Sequence, residues 1–174
     1  LDPDCSPAFA IRGSVRQRMG KSEEAIGDCT EALRQGMKDV VVYITRAEAH
    51  AARGELDQAL DDCTSAIELD SNHPGTWALR AQVRLQQGAF EQADEDATES
   101  IRLAPEWPIP YMTRGRARER QDEYDAAIED LDRAIELGPD LAGAFYFRGM
   151  AWCGKEQFDR GRADFDEAIR LASE

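Results

Sequence analysis

The sequence predicts an all-α protein of about ten antiparallel helices, built from five copies of one 34-residue unit. The first observation is that equivalent residue types recur every 34 positions without insertion or deletion. The second is that apolar residues within each unit are spaced three to four apart, which is typical of helices. The third is that glycine and proline stand at regular positions between these stretches, where they end helices.

Aromatic and small residues mark the first helix of every unit. The aromatic series is Phe9, Tyr43, Trp77, Tyr111 and Phe145. The small series follows four positions later, at Gly13, Ala47, Ala81, Gly115 and Gly149. A side chain larger than alanine would hold two helix axes apart, so the small series predicts a close helix crossing.

Two further small series mark the second helix of each unit. They are Ala25, Ala59, Ala93, Ala127 and Gly161, and then Ala32, Ala66, Ser100, Ala134 and Ala168. We expect the earlier series to face the small residues of the first helix, within one hairpin. The later series would let the second helix approach the following unit. Because one hairpin cannot bury both of its apolar faces, stability must come from stacking.

The turn between the two helices of a unit has its own marker. In the third unit Gly88 separates helices that we predict at 75–87 and 90–103. Glycine holds this position in the first three units, whereas Asp122 and Glu156 hold it in the last two. A left-handed backbone here suits aspartate better than glutamate. With Gly154 nearby, we therefore expect the first helix of the fifth unit to end early or irregularly.

The chain is acidic, with 21 Lys and Arg against 35 Asp and Glu, a formal charge of −14. This balance argues against a nucleic-acid partner, because phosphate binding needs a positive field. No apolar stretch is long enough for membrane insertion. The charge is also unevenly placed: the first-helix segments are net positive and the second-helix segments strongly negative.

Arginine and aspartate recur together in every unit, sixteen residues apart. The pairs are Arg12 with Asp28, Arg46 with Asp62, Arg80 with Asp96, Arg114 with Asp130, and Arg148 with Asp164. Sixteen residues span one helical hairpin, and arginine suits bidentate pairing with carboxylates. We expect a structural ion-pair ladder. The alternative, that some of these arginines face a ligand, stays open at this point.

The sequence shows no catalytic or metal-binding pattern. Its two histidines, His50 and His73, have no cysteine or carboxylate at metal spacing on one helix face. The four cysteines lack CxxC spacing, and we expect free thiols. Phosphate-loop, nucleophile-elbow and calcium-loop motifs do not occur. We therefore predict a non-enzymatic protein without metal or cofactor.

The combined pattern resembles the tetratricopeptide repeat family. The third unit carries its most specific form, in the order Trp77, Ala81, Gly88, Phe90, Ala93, Ser100 and Pro105. The resemblance implies an α-α superhelix, the solenoid of that family, with repeats at 6–39, 40–73, 74–107, 108–141 and 142–174. Residues 1–5 would be the tail of a preceding repeat. One departure is the arginine before each small residue, where the family often has leucine.

The resemblance also implies a concave groove lined by the first helices. The implied groove residues are Ser14, Ile44, Glu48, Gln82, Met112, Arg116, Tyr146 and Met150, with Arg18, Gln86 and Arg120 at one rim. Methionine and tyrosine suit adaptable peptide recognition, and the arginines could hold a carboxylate. Whether these positions have a ligand or are ordinary exposed residues stays open.

The leading functional prediction is a protein-interaction scaffold, or adaptor, that binds a partner peptide or helix in this groove. One alternative is a self-assembling module that associates end to end through Phe9, Phe165 and Ile169. Another is a regulatory or tethering segment of a larger enzyme. The sequence carries no recognisable targeting segment, so we expect a cytoplasmic location.

Overall fold

The computed structural model describes residues 5–173, which form ten α-helices and contain no β-strand. The helices are α1 (Ser6–Arg18), α2 (Ser22–Arg34), α3 (Val40–Ala52), α4 (Leu56–Leu69), α5 (Pro74–Gln87), α6 (Phe90–Leu103), α7 (Pro108–Glu119), α8 (Tyr124–Leu137), α9 (Ala142–Gly154) and α10 (Phe158–Ala172). The predicted all-α class is confirmed. The two helices predicted for the third unit agree with α5 and α6 to within one residue. The prediction for the tail at 1–5 lies outside the described residues, apart from Cys5.

The helices fall into two compact bodies, Leu1–Val83 and Arg84–Glu174, with the boundary inside α5. In the N-terminal body, α1 packs on α2, α2 on α3 and α3 on α4, and α1 also lies beside α3. In the C-terminal body, α6 through α10 pack in the same consecutive order, and α7 lies beside α9. Each body therefore contains first helices side by side, with the second helices packed against them.

The core of the N-terminal body is made of small side chains. Ala25, Cys29 and Ala32 of α2 are fully buried. Gly13 of α1 crosses this face so closely that an added Cβ would lie 2.8 Å from the Cys29 sulfur. The same Cβ would lie 3.4 Å from the carbonyl oxygen of Ala25, the small residue predicted to face it. The sequence-predicted close crossing is therefore present in the first hairpin.

The C-terminal body repeats this crossing twice. A Cβ on Gly115 would lie 2.7 Å from Leu131 Cγ and 3.1 Å from the carbonyl oxygen of Ala127. In the last hairpin both partners are glycines, and a Cβ on Gly161 would lie 3.0 Å from the carbonyl oxygen of Gly149. Larger side chains surround these contacts and complete a core cluster on α8 and α9.

All five turns within the hairpins use a left-handed residue. The φ angles are 74° at Gly20, 77° at Gly54, 80° at Gly88, 60° at Asp122 and 59° at Glu156. The left-handed conformation costs a residue other than glycine of order 1 kcal/mol, which the surrounding packing must offset. Aspartate and glutamate thus adopt the conformation that glycine adopts in the first three repeats.

The expected early end of the first helix in the fifth repeat was wrong. Helix α9 ends at Gly154, the repeat position at which α1 and α3 also end. The Gln157 N–H donates to the Trp152 carbonyl at 2.9 Å, and this bond closes the helix regularly. Gly154 serves packing instead, because a Cβ there would collide with the ring of Tyr124.

None of the helices in the described part of the chain combines the length and the apolar composition that a membrane span requires.

We predict opposite effects for two glycine-to-alanine substitutions. Gly115→Ala should lower the free energy of unfolding by about 1–3 kcal/mol, because its Cβ meets backbone and a buried leucine. Gly27→Ala, on the exposed face of α2 with no atom near its added Cβ, should raise it by about 0.5–1 kcal/mol. Urea unfolding followed by circular dichroism measures both. Equal gains from the two substitutions would contradict the close crossing.

Candidate partner-binding site

The sequence-predicted arginine and aspartate pairs of the N-terminal body are in direct contact. Arg12 donates from Nε and Nη2 to the two carboxylate oxygens of Asp28, at 2.8 and 2.6 Å. Arg46 donates in the same way to Asp62, at 2.9 and 2.6 Å. Both aspartates are buried. Each contact joins the first and second helices of one hairpin through a bidentate pair.

The C-terminal body contains two more bidentate pairs. Arg114 donates to Asp130 at 2.9 and 2.7 Å. Arg148 donates to Asp164 at 2.8 and 2.6 Å. Asp96 is also buried in this body, and Arg84 lies 2.8 Å from it. The predicted pair of Asp96 with Arg80 joins residues of the two bodies and stays a prediction.

Each arginine of the series also lies over the aromatic residue three positions before it. The distances from Cζ to the ring centroid are 5.2 Å for Arg12 over Phe9, 5.9 Å for Arg46 over Tyr43, 4.9 Å for Arg80 over Trp77, 5.9 Å for Arg114 over Tyr111 and 5.4 Å for Arg148 over Phe145. Residues three apart share one helix face, so the aromatic and arginine series meet along the first helices.

A third contact, which the sequence analysis missed, ties neighbouring repeats together. The Nη1 atom of the arginine donates to the second helix of the preceding repeat. Arg46 Nη1 donates to the Thr30 hydroxyl at 3.1 Å, and Arg114 Nη1 donates to the Thr98 hydroxyl at 3.0 Å. In the fifth repeat Arg148 reaches the carboxylate of Asp132 at 2.6 Å. A series of hydrogen-bond acceptors in the sequence could have predicted this contact: Thr30, Thr64, Thr98 and Asp132, one in each of the first four repeats.

The surroundings shift the pKa of two neighbouring buried groups of the N-terminal body, Asp28 and Cys29. Hydrogen bonding from Arg12 holds the pKa of the Asp28 carboxyl below its usual value, although burial works in the opposite direction. Burial raises the pKa of the Cys29 thiol to about 11. The carboxyl is therefore ionised and the thiol protonated at neutral pH, so Cys29 is an inert core residue.

The groove residues implied for the N-terminal body lie on the first helices α1, α3 and α5, of which α1 and α3 are adjacent. Ser14 of α1 and Thr45 of α3 are joined by a 3.1 Å hydrogen bond between their hydroxyls. Ile44 and Gln82 are partly buried, whereas Arg18 and Glu48 are exposed. Loss of hydration nevertheless raises the pKa of the Glu48 carboxyl.

The groove residues implied for the C-terminal body include two arginines held over aromatic rings. The Arg116 guanidinium lies 4.9 Å from the centroid of Phe147, and that of Arg120 lies 5.2 Å from the centroid of Phe90. Stacking of this kind holds a guanidinium in place while its edge can still donate hydrogen bonds. Burial raises the pKa of the neighbouring Glu119 carboxyl.

Apolar side chains lie on α7 and α9, the two helices that carry Arg116 and Phe147. Tyr146 and Met150 of α9 are exposed, and Met112 of α7 is partly buried beside Gly143. Gln86, also implied by the resemblance, is exposed near the end of α5. The C-terminal body thus brings Met112 and Arg116 of α7 beside the α9 residues. A groove continuous over both bodies stays a prediction.

Both histidines are engaged in local contacts. His50 Nδ1 lies 2.6 Å from a Glu55 carboxylate oxygen, and His73 Nδ1 lies 3.0 Å from the Thr76 hydroxyl. Within residues 5–173, no group of three or more His, Cys, Asp or Glu side chains is placed to hold a metal ion.

Comparison with known sequences gives a family match at the C-terminal end. A family model described as tetratricopeptide repeat matches residues 112–174. No curated protein sequence matches the chain.

Comparison with solved structures extends the likeness to the whole chain. MamA 41-end from Desulfovibrio magneticus RS-1 has a TM-score of 0.85 at 19% identity, with 99% of this chain and 98% of that chain covered. TTC0263, a thermophilic TPR protein from Thermus thermophilus, has a TM-score of 0.81 at 16% identity, with 97% and 92% covered. YrrB, described as a TPR protein with an unusual peptide-binding site, has a TM-score of 0.74 at 16% identity, with 94% and 84% covered. The family match thus covers residues 112–174, and over the rest of the chain the likeness to these structures is one of fold.

Proposed function

We propose that the chain is a non-enzymatic scaffold that binds a peptide or helix of a protein partner on its first helices. The observation that carries this proposal is the surface of α7 and α9 in the C-terminal body. Tyr146 and Met150 of α9 are exposed, and Arg116 of α7 stacks on Phe147 of α9. Arg120, just past the end of α7, stacks on Phe90 of α6. A peptide needs both kinds of contact: apolar anchors supply affinity, and directional donors fix its orientation.

The arginines of this surface favour an acidic ligand. Arg116 and Arg120 are positioned by stacking on Phe147 and Phe90, so little side-chain freedom is lost when they bind. Their planar donor groups match the geometry of a carboxylate. We therefore propose that the preferred ligand carries aspartate or glutamate next to apolar side chains. The peptide-binding site of YrrB supports peptide recognition on this fold.

We also propose that the arginine and aspartate ladder is structural, and that its arginines do not serve as ligand groups. In Arg12, Arg46, Arg114 and Arg148, Nε and Nη2 are both engaged by one buried carboxylate. In three of these arginines Nη1 is engaged by the preceding repeat. These contacts engage all three nitrogens of the guanidinium in those three arginines.

The proposal includes the division into five repeats from residue 6 to residue 174, a cytoplasmic location and no bound cofactor. No contact or surface in the described residues favours the role of a regulatory or tethering segment in a larger enzyme.

We predict that reversing two charges removes peptide binding. Peptides selected from a random library against the immobilised chain should be rich in acidic and apolar residues. Arg116→Glu combined with Arg120→Glu should raise their dissociation constant at least about tenfold, which corresponds to about 1.4 kcal/mol. Fluorescence anisotropy with a labelled selected peptide measures this change.

The matched control reverses two arginines of second helices, Arg34→Glu and Arg102→Glu. Both are exposed and pair locally, with Glu31 and Glu99. This variant has the same net charge as the test variant and should bind the peptide like the unmodified chain. Equal losses in the two variants would indicate general electrostatic attraction and would contradict a site on α7 and α9.

We predict a pH-dependent stability difference for Asp28→Asn. The folded-state pKa of Asp28 is lowered, so its ion pair contributes fully above the unfolded-state pKa of about 3.9 and is lost as pH falls through the folded-state value. At pH 7 the substitution should lower the free energy of unfolding by about 1.5–3 kcal/mol. The difference should shrink as the pH falls below the unfolded-state pKa of about 3.9.

Urea unfolding at pH 7 and at low pH provides the measurement. Asp61→Asn, which changes an exposed aspartate of α4, is the control and should have little effect at either pH. An Asp28→Asn deficit that stays constant down to acid pH would contradict an ion pair as its cause.

A further inference from the structure

We propose that Glu119 of α7 couples the binding of an acidic ligand on the C-terminal body to the uptake of a proton. This inference rests on the proposed function, because it concerns the same surface, and it adds a regulation of that surface by pH. Its basis is the repeat position of Glu119, the lack of a partner for its carboxylate, and its place beside Arg116 and Arg120.

Glu119 is a carboxylate at a repeat position that is apolar in the neighbouring repeats. The residue one repeat earlier is Leu85, which is 7% exposed and belongs to a core cluster with Ala93 and Ala117. The residue one repeat later is Cys153. Glu119 itself is half-buried. Because removing a carboxylate from water costs free energy, an acid at this position reduces the stability of the fold.

Nothing in the structure offsets this cost through a direct contact. Among residues 5–173 the Glu119 carboxylate has no ion-pair or hydrogen-bond partner. Asp130 of the same hairpin is different, since it accepts hydrogen bonds from Arg114 and Arg118. A half-buried acid without a donor is uncommon, and residues of this kind concentrate at functional sites.

The two arginines of the proposed binding surface flank Glu119. Arg116 precedes it by three residues, on the same side of α7, and Arg120 follows it directly. Each guanidinium is held over an aromatic ring, Phe147 or Phe90, and forms no ion pair with Glu119 in the described part of the chain. Burial raises the pKa of the Glu119 carboxyl and outweighs the two arginines, whose charges act in the opposite direction.

The other charged groups around α7 are engaged with one another. Asp94 of α6 pairs with Arg118, and Arg148 of α9 pairs with two aspartates. Asp122, in the turn after α7, also raises the pKa of Glu119, and its carboxylate accepts a hydrogen bond from the Tyr124 hydroxyl of α8.

No histidine contributes to the titration of this surface. Both histidines of the chain, His50 and His73, belong to the N-terminal body. The remaining titratable groups of α9 are the phenol of Tyr146 and the thiol of Cys153, and such groups ordinarily ionise above neutral pH. Glu119 is therefore the group of this surface that can bind a proton in mildly acidic solution.

An acidic ligand brings a second negative charge beside Glu119. In the proposed function Arg116 and Arg120 bind a carboxylate of the ligand, and two carboxylates this close repel each other if both are ionised. Uptake of a proton from solvent by Glu119, which is already half-buried, removes the repulsion. The neutral carboxyl can also donate its O–H to the ligand carboxylate.

The direction of the pH dependence follows from this exchange. The complex holds more protons than the free chain, so the affinity rises as the pH falls toward the range in which Glu119 titrates. Aspartate and glutamate of the ligand have ordinary pKa values of about 3.9 and 4.3, so they stay charged above about pH 5. Their own protonation would weaken binding to the arginines, which is the opposite trend.

The test uses a histidine-free acidic peptide selected against the immobilised chain, with its ends acetylated and amidated. The unmodified chain should bind it about threefold to tenfold more tightly at about pH 5.5 than at about pH 7.5, as expected for a pKa that rises by up to about one unit in the complex. Glu119→Gln keeps the shape of the side chain and removes its charge. At the higher pH this variant should bind more tightly than the unmodified chain, and its affinity should not change with pH.

Glu129→Gln is the matched control, because it removes an exposed carboxylate of α8. It should keep the pH dependence of the unmodified chain. Isothermal titration calorimetry in two buffers of different ionisation enthalpy should show proton uptake on binding by the unmodified chain and none by Glu119→Gln. Circular dichroism at both pH values checks that the variants fold.

The outcomes separate this inference from the proposed function. Equal pH dependence in Glu119→Gln and the unmodified chain, weaker binding by Glu119→Gln near neutral pH, or weaker binding by the unmodified chain at the lower pH would each overturn the proton uptake. If the variant with Arg116→Glu and Arg120→Glu still loses affinity in those cases, the proposed function stands. If that variant binds like the unmodified chain, both proposals are overturned.

Discussion

The close crossing of two helices at small residues is the constraint on which the rest of this structure depends. Gly13, Gly115 and Gly149 lie so near the facing helix that an added methyl group would meet its atoms. The buried core is accordingly dominated by alanine, with few large side chains fully enclosed. Such a core buries little apolar area per hairpin, so each hairpin gains its stability by packing on its neighbours.

The arginines add specificity to this packing. Arg148 is an example. Its guanidinium contacts the ring of Phe145 on its own helix, the buried Asp164 of its own hairpin and Asp132 of the preceding repeat. Because charges lose hydration on burial, such pairs add little net free energy of folding. They are directional, however, and a shift of one helix along its neighbour would break the contacts that join it to the other helices. We infer that the small residues set the distance between helices and that the arginines set their register.

The repeat pattern was sufficient to predict the fold, because six series in one register leave little freedom for other architectures. The end of α9 was mispredicted because Gly154 was interpreted from local propensity, whereas its role is to admit Tyr124 from another helix. The acceptors Thr30, Thr98 and Asp132 were missed because each belongs to a different repeat from its arginine. The candidate site followed only from the family resemblance, since the exposure of Tyr146 or the stacking of Arg116 depends on neighbouring helices.

The equivalence of Thr98 and Asp132 has a consequence for how such an array can grow. Both accept a hydrogen bond from the arginine of the following repeat, although one is neutral and the other charged. A repeat of this kind therefore carries an arginine that donates to the preceding repeat and a threonine or aspartate that accepts from the following repeat. The interface between two repeats tolerates either acceptor. A gene duplication that copies 34 codons in frame would insert a new hairpin with both joints already formed, so array length can change without redesign of any contact.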